Sequence, residues 1–173
     1  MKIIRFFSVA AMVLGLGGCA TSPVFLAPVG PNPDGRESVA SKGALQVFSR
    51  VVEQSDDRNQ GGDGTSLWHQ HADYDIYDLH GKRVKHVDNS VGHYETAPRV
   101  VTLPPGRYIV AAEAEEALRV RVPVRIERGR ISRIHLDDYW KPPADARRDE
   151  LVSMPSGSPV GWRAGIGNDT GSQ

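Results

Sequence analysis

The fold of this chain is decided by the stretch LRVRVPVRIE at residues 118–127. Its apolar residues fall at every second position, and arginine, proline or glutamate fills the positions between them. Because side chains of a β-strand alternate between the two faces of a sheet, this pattern predicts a strand with one face on a core and one in water. Pro123 has no N–H to give to a ladder, which predicts an edge strand or a break at that position.

The same period of two recurs on both sides of this strand. Alternation at residues 45–51 predicts a first strand, and residues 74–79 are predicted to pair with residues 83–87 across a short turn. After residue 127, Gly129 supplies a turn into a further strand at residues 131–136. No helical stripe is present, and each sheet would have one apolar face to bury. The sequence therefore predicts an all-β fold, an antiparallel immunoglobulin-like sandwich of two sheets.

A proline-glycine motif, LPPGRYIV at residues 103–110, joins two of these strands. Pro105 and Gly106 suit a type II turn, in which a positive φ follows the proline. With the strands on either side of Gly129, the motif resembles the signature of carboxypeptidase-regulatory-like, transthyretin-like and Cna-B-type domains over about residues 97–137. Many members carry Gly-Tyr in the loop where this chain has Glu115-Glu116-Ala117. The resemblance implies a β-sandwich accessory module that binds, spaces or stabilises, and it names no ligand.

The N-terminal segment has the pattern of a secretory signal. It opens with Lys2 and Arg5, continues with an apolar run too short to span a bilayer as a helix, and ends in small residues before Cys19, the only cysteine. A buried core helix, or cleavage elsewhere with Cys19 left as a free thiol, is the alternative interpretation.

Leu16-Gly17-Gly18-Cys19 resembles the lipobox of bacterial lipoproteins. The resemblance implies a signal peptide at residues 1–18, and a diacylglycerol thioether with a further, palmitate-type acyl chain on Cys19. Two or more acyl chains anchor a protein stably in a membrane. In the family, a residue other than Asp after the cysteine, here Ala20, implies the outer membrane, facing the periplasm.

Composition shifts predict how the rest of the chain is organised. Residues 19–43 are rich in Pro, Gly, Ser and Ala and predict a lipid-anchored, semi-extended tether before a β-sandwich domain at residues 44–140. Residues 141–173 predict a partly disordered C-terminal extension, within which residues 151–162 suggest a small hairpin. The 21 basic and 21 acidic residues include no basic block, so no nucleic-acid partner is expected.

The sharpest chemical pattern is the segment WHQHAD at residues 68–73. On an extended strand His69, His71 and Asp73 would share a face and could hold zinc. The alternative is the polar outer face of an edge strand, and because no fourth ligand is identifiable, the sequence assigns no metal and no cofactor. A calcium loop at residues 57–63 is weaker still, because Trp68 stands where a closing Glu is needed. The remaining histidines, including His135, are expected to be surface polar groups.

Aromatic residues are the other candidate site. Stacked on one surface they would form a platform for envelope sugars, although all are equally suited to fill a core or an edge. They are Trp68, Tyr74, Tyr77, Tyr94, Trp140 and Trp162.

Catalysis is not expected. The chain has no Gly-x-Ser-x-Gly elbow and no glycine-rich phosphate loop, and the carboxylates near residue 115 fit a solvated surface. The sequence therefore predicts a non-catalytic binding or structural module, lipid-anchored in the bacterial cell envelope, with an envelope protein or glycan as candidate partner. The alternative is a carbohydrate- or metal-binding envelope lipoprotein.

Overall fold

A computed structural model of the protein describes residues 22–33, 42–55, 67–89 and 97–165, with the backbone alone at residues 53–55 and 67–69. Regular structure in these ranges is almost entirely β, and the helices there are the short 3-10 turns Glu115–Ala117 and Arg148–Glu150. None of the helices in the described ranges has the length and apolar character needed to cross a membrane. The strands are β1 (Val24–Phe25), β2 (Val29–Gly30), β3 (Gly43–Phe48), β4 (Val51–Ser55), β5 (Leu67–His71), β6 (Tyr74–Tyr77), β7 (Arg83–Val87), β8 (Val100–Leu103), β9 (Gly106–Glu113), β10 (Arg119–Ile126), β11 (Ile131–His135), β12 (Leu151–Ser153) and β13 (Pro159–Arg163).

Two sheets and a ribbon build the fold. The eight-stranded sheet has the order β12-β13-β2-β10-β9-β6-β7, and β1 also pairs with β10. The three-stranded sheet has the order β11-β3-β8, and β4 and β5 form a separate ribbon. Val110 and Val122 of the larger sheet and Leu45 and Val47 of the smaller one belong to a single buried core. The prediction of an all-β sandwich-like fold is confirmed.

Both sheets are mixed, which differs from the purely antiparallel arrangement expected. β1 and β2 run parallel to β10, and β11 runs parallel to β3. The chain passes between the two sheets at several connections, including those from β2 to β3, from β8 to β9 and from β10 to β11, so neighbouring strands need not be joined by a hairpin and can run parallel. Side chains alternate with period two in parallel and antiparallel strands alike, so the sequence pattern does not predict the relative direction of neighbouring strands.

Strand β10 buries the predicted face but does not lie at the predicted edge of a sheet. The even-numbered residues from Val120 to Ile126 are buried, as the alternation requires. Its position at an edge is wrong, because β9 pairs along one side and β1 and β2 along the other. Pro123 lies where that second side changes from β1, which pairs up to Arg121, to β2, which pairs at Val124. The ladder has a natural gap there, so the missing N–H is tolerated.

The predicted turns divide into two groups. β6 and β7 pair around Gly81, whose φ is 81°, and Gly129 has a φ of 71° in the turn before β11. These turns are confirmed. The type II turn at Pro105-Gly106 is wrong, because Gly106 has a nearly extended φ of 159° rather than the roughly 80° of that turn. The motif carries the chain from one sheet to the other.

The expected tether over residues 19–43 is wrong for residues 22–33. Val29 is fully buried in the core, and β2 lies between β13 and β10 inside the larger sheet. Two-residue strands bracketed by proline carry no periodicity, which is why composition alone suggested a tether. Cys19 and the signal peptide at residues 1–18 lie outside the described residues.

The C-terminal segment is also part of the domain, so a domain boundary at residue 140 is wrong. The predicted hairpin is confirmed, since β12 and β13 pair in antiparallel register. β13 then pairs with β2, where Trp162 lies opposite Gly30, and Val160 is fully buried. The end of the predicted extension, residues 166–173, lies outside the described residues, and the predicted disorder at residues 168–173 falls within it.

Candidate ligand-binding cleft

A cleft of about 310 Å³ opens where β11 of the smaller sheet packs beside β13 of the larger one. Arg133 and His135 reach it because β11 buries Ser132 and Ile134 and turns its odd-numbered residues outward. Close packing of the two strands depends on Gly161, since a Cβ there would lie 2.7 Å from the carbonyl oxygen of Arg133. The cleft is lined in part by Asn32, Arg133, His135, Trp140, Lys141 and Trp162.

The aromatic wall of the cleft is a column of rings. His135 lies nearly parallel to Phe48, with centroids 4.3 Å apart, and nearly parallel to Trp140, with centroids 4.8 Å apart. Trp162 approaches Trp140 at 6.4 Å with the ring planes 70° apart. Both faces of the imidazole are therefore covered, and the two indoles meet edge to face at the cleft.

The imidazole of His135 is held neutral near pH 7. Burial lowers the pKa of His135 to about 4, with smaller contributions from Arg133 and His71. A neutral ring with both faces stacked acts as an aromatic spacer rather than as a proton donor or acceptor. The expectation of a surface polar histidine is wrong at this position.

Polar groups surround the aromatic wall. Arg133 donates through Nε to Oε1 of Gln46 at 3.2 Å, which orients its guanidinium, and Lys141 and Asn32 line the same cleft. Hydrogen-bond donors beside two indole rings form an arrangement suited to a polar ligand with an apolar face.

The structure brings together only part of the proposed aromatic platform. Trp140 and Trp162 meet at the cleft, whereas Tyr74 is buried on β6 and burial raises the pKa of its hydroxyl. Tyr77 projects from the outer face of the larger sheet beside Arg121. The side chains of Trp68 and Tyr94 lie outside the described part of the chain.

The proposed metal ligands do not share one strand. β5 ends at His71, and Asp73 lies in the connection before β6. His71 Nδ1 lies 2.7 Å from the carbonyl oxygen of Ser49, whereas Asp73 accepts from the backbone N–H of Asn89 at 2.9 Å. The side chain of His69 lies outside the described residues, as does the segment 57–63. Among the side chains that the structure describes, no three His, Cys, Asp or Glu residues are grouped to hold a metal ion.

Sequence reasoning missed Phe48, His135 and Gly161. Alternation at residues 131–136 does place His135 on the same face as Arg133, so a signal for it was present. Nothing in the local sequence shows that a glycine of β13 packs against β11.

No family model, no curated protein and no solved structure matches this chain. The cleft is therefore defined by the geometry of this chain alone.

Proposed function

We propose that this protein is a lipid-anchored, non-catalytic binding module of the bacterial cell envelope. The anchor rests on the signal pattern that ends at Cys19. The observation that carries the binding role is the cleft at which Trp140 and Trp162 meet.

An envelope carbohydrate is the ligand class that the cleft favours. The C–H faces of a sugar pack against indole rings, and its hydroxyl or carboxylate groups accept hydrogen bonds from donors such as Arg133 and Lys141. Because both of these donors are cationic, the cleft favours an acidic glycan over a neutral one.

The composition of the cleft favours binding over hydrolysis. Glycoside hydrolysis ordinarily needs two carboxyl groups on either side of the scissile bond. No carboxylate is found among the described residues that line the cleft, and its one histidine is stacked and neutral near pH 7. The second candidate function is purely structural, with Trp140 and Trp162 closing the junction between the two sheets.

Binding tests separate these two functions. The purified protein is titrated with peptidoglycan fragments and acidic envelope polysaccharides by calorimetry, as wild type and as Trp162→Ala. Loss of one indole wall should weaken binding by about tenfold or more, as removal of a central aromatic contact commonly does. Tyr139→Ala is the matched control, because Tyr139 is 74% exposed and does not line the cleft. Absence of binding to every envelope glycan would favour the structural role.

The anchor has its own test. Cells that produce the full chain are fed a palmitate analogue, and label should appear in the wild type and be lost in Cys19→Ser. Label that persists in the variant, or that never appears, contradicts lipidation at Cys19.

A further inference from the structure

Strands β1 and β10 place an aromatic and two arginine side chains on the outer face of the eight-stranded sheet. Phe25 is paired with Arg121 in parallel register and is 65% exposed. The guanidinium carbon of Arg121 lies 5.8 Å from the ring centroid of Phe25 and 6.0 Å from that of Tyr77. Arg119 precedes it on the same exposed face of β10. We call Phe25, Arg119 and Arg121 the β1–β10 patch.

Three carboxylates, those of Asp73, Asp75 and Glu113, line one pocket with the two arginines of the patch, but none of them pairs directly with either arginine. Within the described side chains, neither Arg119 nor Arg121 forms an ion pair. These acids have other partners. Asp75 Oδ1 lies 2.9 Å from His86 Nδ1 and 3.5 Å from a terminal guanidinium nitrogen of Arg83, and Asp73 accepts from the backbone N–H of Asn89 at 2.9 Å and lies 3.9 Å from His86 Nε2.

Glu113 stands opposite Arg119 in the register of β9 and β10, but its carboxylate pairs with Arg50 at 3.2 Å. The patch therefore offers two cations and an exposed aromatic ring side by side.

The position of β1 limits how far this patch can lie from the N-terminal cysteine. Val24, the first residue of β1, follows Cys19 by five residues, and an extended chain covers at most about 3.6 Å per residue. The ladder between β1 and β10 holds Val24 against Val120. A lipid on Cys19 would therefore keep Val24 within about 18 Å of the lipidated residue, and the neighbouring patch only slightly farther.

We infer that the β1–β10 patch rests on the phospholipid surface, with Arg119 and Arg121 on lipid phosphates and Phe25 at the boundary between headgroups and acyl chains. This inference rests on the proposed lipidation of Cys19. Arginine pairs well with phosphate, and an exposed apolar side chain such as Phe25 can bury at the boundary between headgroups and acyl chains. The outer face of the larger sheet then faces the membrane, and the outer face of the smaller sheet, with exposed Val100, faces away from it.

Photocrosslinking of the full lipidated chain tests the orientation. The variants Phe25→benzoylphenylalanine and Val100→benzoylphenylalanine are reconstituted in vesicles of phosphatidylethanolamine and phosphatidylglycerol that contain a radiolabelled phospholipid. Irradiation should attach lipid to the protein several-fold more from position 25 than from position 100. Equal yields, or capture of a protein by position 25 in intact cells in place of lipid, would overturn the inference.

A charge-matched pair of variants tests the role of the arginines. Arg119→Gln with Arg121→Gln should lower the lipid yield from position 25 at least twofold. Lys42→Gln with Arg99→Gln removes the same charge at exposed residues that flank β3 and β8 of the smaller sheet, and it should leave the yield unchanged. If both pairs lower it equally, specific phosphate contacts by Arg119 and Arg121 are refuted.

Palmitate labelling of the same preparations separates the two proposals. If Cys19 carries no label, the anchor itself fails. If Cys19 is labelled and position 25 captures no lipid, the anchor stands and only the contact of the patch with the membrane fails.

Discussion

The substitution His135→Phe should remove much of the acid sensitivity of this protein. The imidazole lies between Phe48 and Trp140, and burial, Arg133 and His71 together lower its pKa from the ordinary 6.5 to about 4. Phenylalanine keeps a flat ring in the column and cannot take up a proton.

The size of the effect follows from the difference in pKa between the unfolded and folded chains. Because the folded-state pKa is the lower one, the unfolded chain takes up a proton below pH 6.5 that the folded chain resists. The stability contributed by His135 is present above pH 6.5 and is lost as the pH falls toward 4. A pKa difference of about 2.5 at ~1.4 kcal/mol per pKa unit corresponds to roughly 3–4 kcal/mol, of which about 3 kcal/mol is lost by pH 4, where the folded-state imidazole is half protonated. For a protein of this size that is a shift in Tm of roughly 6–12 °C.

The assay is thermal unfolding of wild type and His135→Phe at intervals from pH 7.5 to pH 4. The wild type should lose about 3 kcal/mol more than the variant over this range. Burial raises the pKa of Asp137, so its contribution is full below the ordinary 3.8 and decreases as the pH rises through the folded value. The contribution of Asp137 to stability therefore changes with pH in the opposite direction to that of His135. It largely cancels when wild type and His135→Phe are compared, because both proteins contain Asp137. His80→Asn, in the exposed β6–β7 turn, is the control and should follow the wild type. Parallel pH curves for wild type and His135→Phe would refute the reasoning.

Two further substitutions test the packing of β13 against β11 and a buried hydrogen-bond network at Asn89. Gly161→Ala should lower the Tm, because its Cβ would lie 2.7 Å from the carbonyl oxygen of Arg133 and such overpacking costs about 1–3 kcal/mol. Gly165→Ala, which meets nothing within 4 Å, should leave the Tm nearly unchanged, and equal effects would contradict the explanation. Asn89→Ala should reduce the free energy of unfolding in urea by about 1–3 kcal/mol or more, since it leaves buried acceptors without their donor. The Asn89 amide donates to the carbonyl oxygen of Val47 at 2.9 Å and to Oγ of Ser49 at 3.0 Å. An unchanged urea midpoint would show that these two acceptors find other donors in the variant.

Strand faces could be predicted from the sequence where alternation is long. At residues 118–127 five apolar residues alternate with polar ones or proline, and burying one such face is the dominant stabilising term. The partners of that strand could not be predicted, because an inner strand with a gap at Pro123 has the same alternation as an edge strand. β2 was missed for a related reason, since two residues carry no period.

The candidate cleft was predictable only in part. Trp140 and Trp162 stood among six candidate aromatic residues, and nothing in their spacing separates them from Tyr74, which is buried. Their meeting depends on two contacts of β13: it pairs with β2, more than 100 residues earlier in the chain, and it packs beside β11. Long-range pairing of this kind has no local signal.

Sequence by itself determined that this chain forms strands, which faces of its long strands are buried, and that Cys19 ends a signal-like segment. These features depend on side chains a few residues apart, so local periodicity and composition are sufficient. Only the tertiary structure decided that residues 22–33 and 151–163 complete the larger sheet, that His135 is a stacked neutral ring, and that Phe25 lies beside Arg121. Each of these depends on which strands become neighbours, and that choice is made by burial of the whole core.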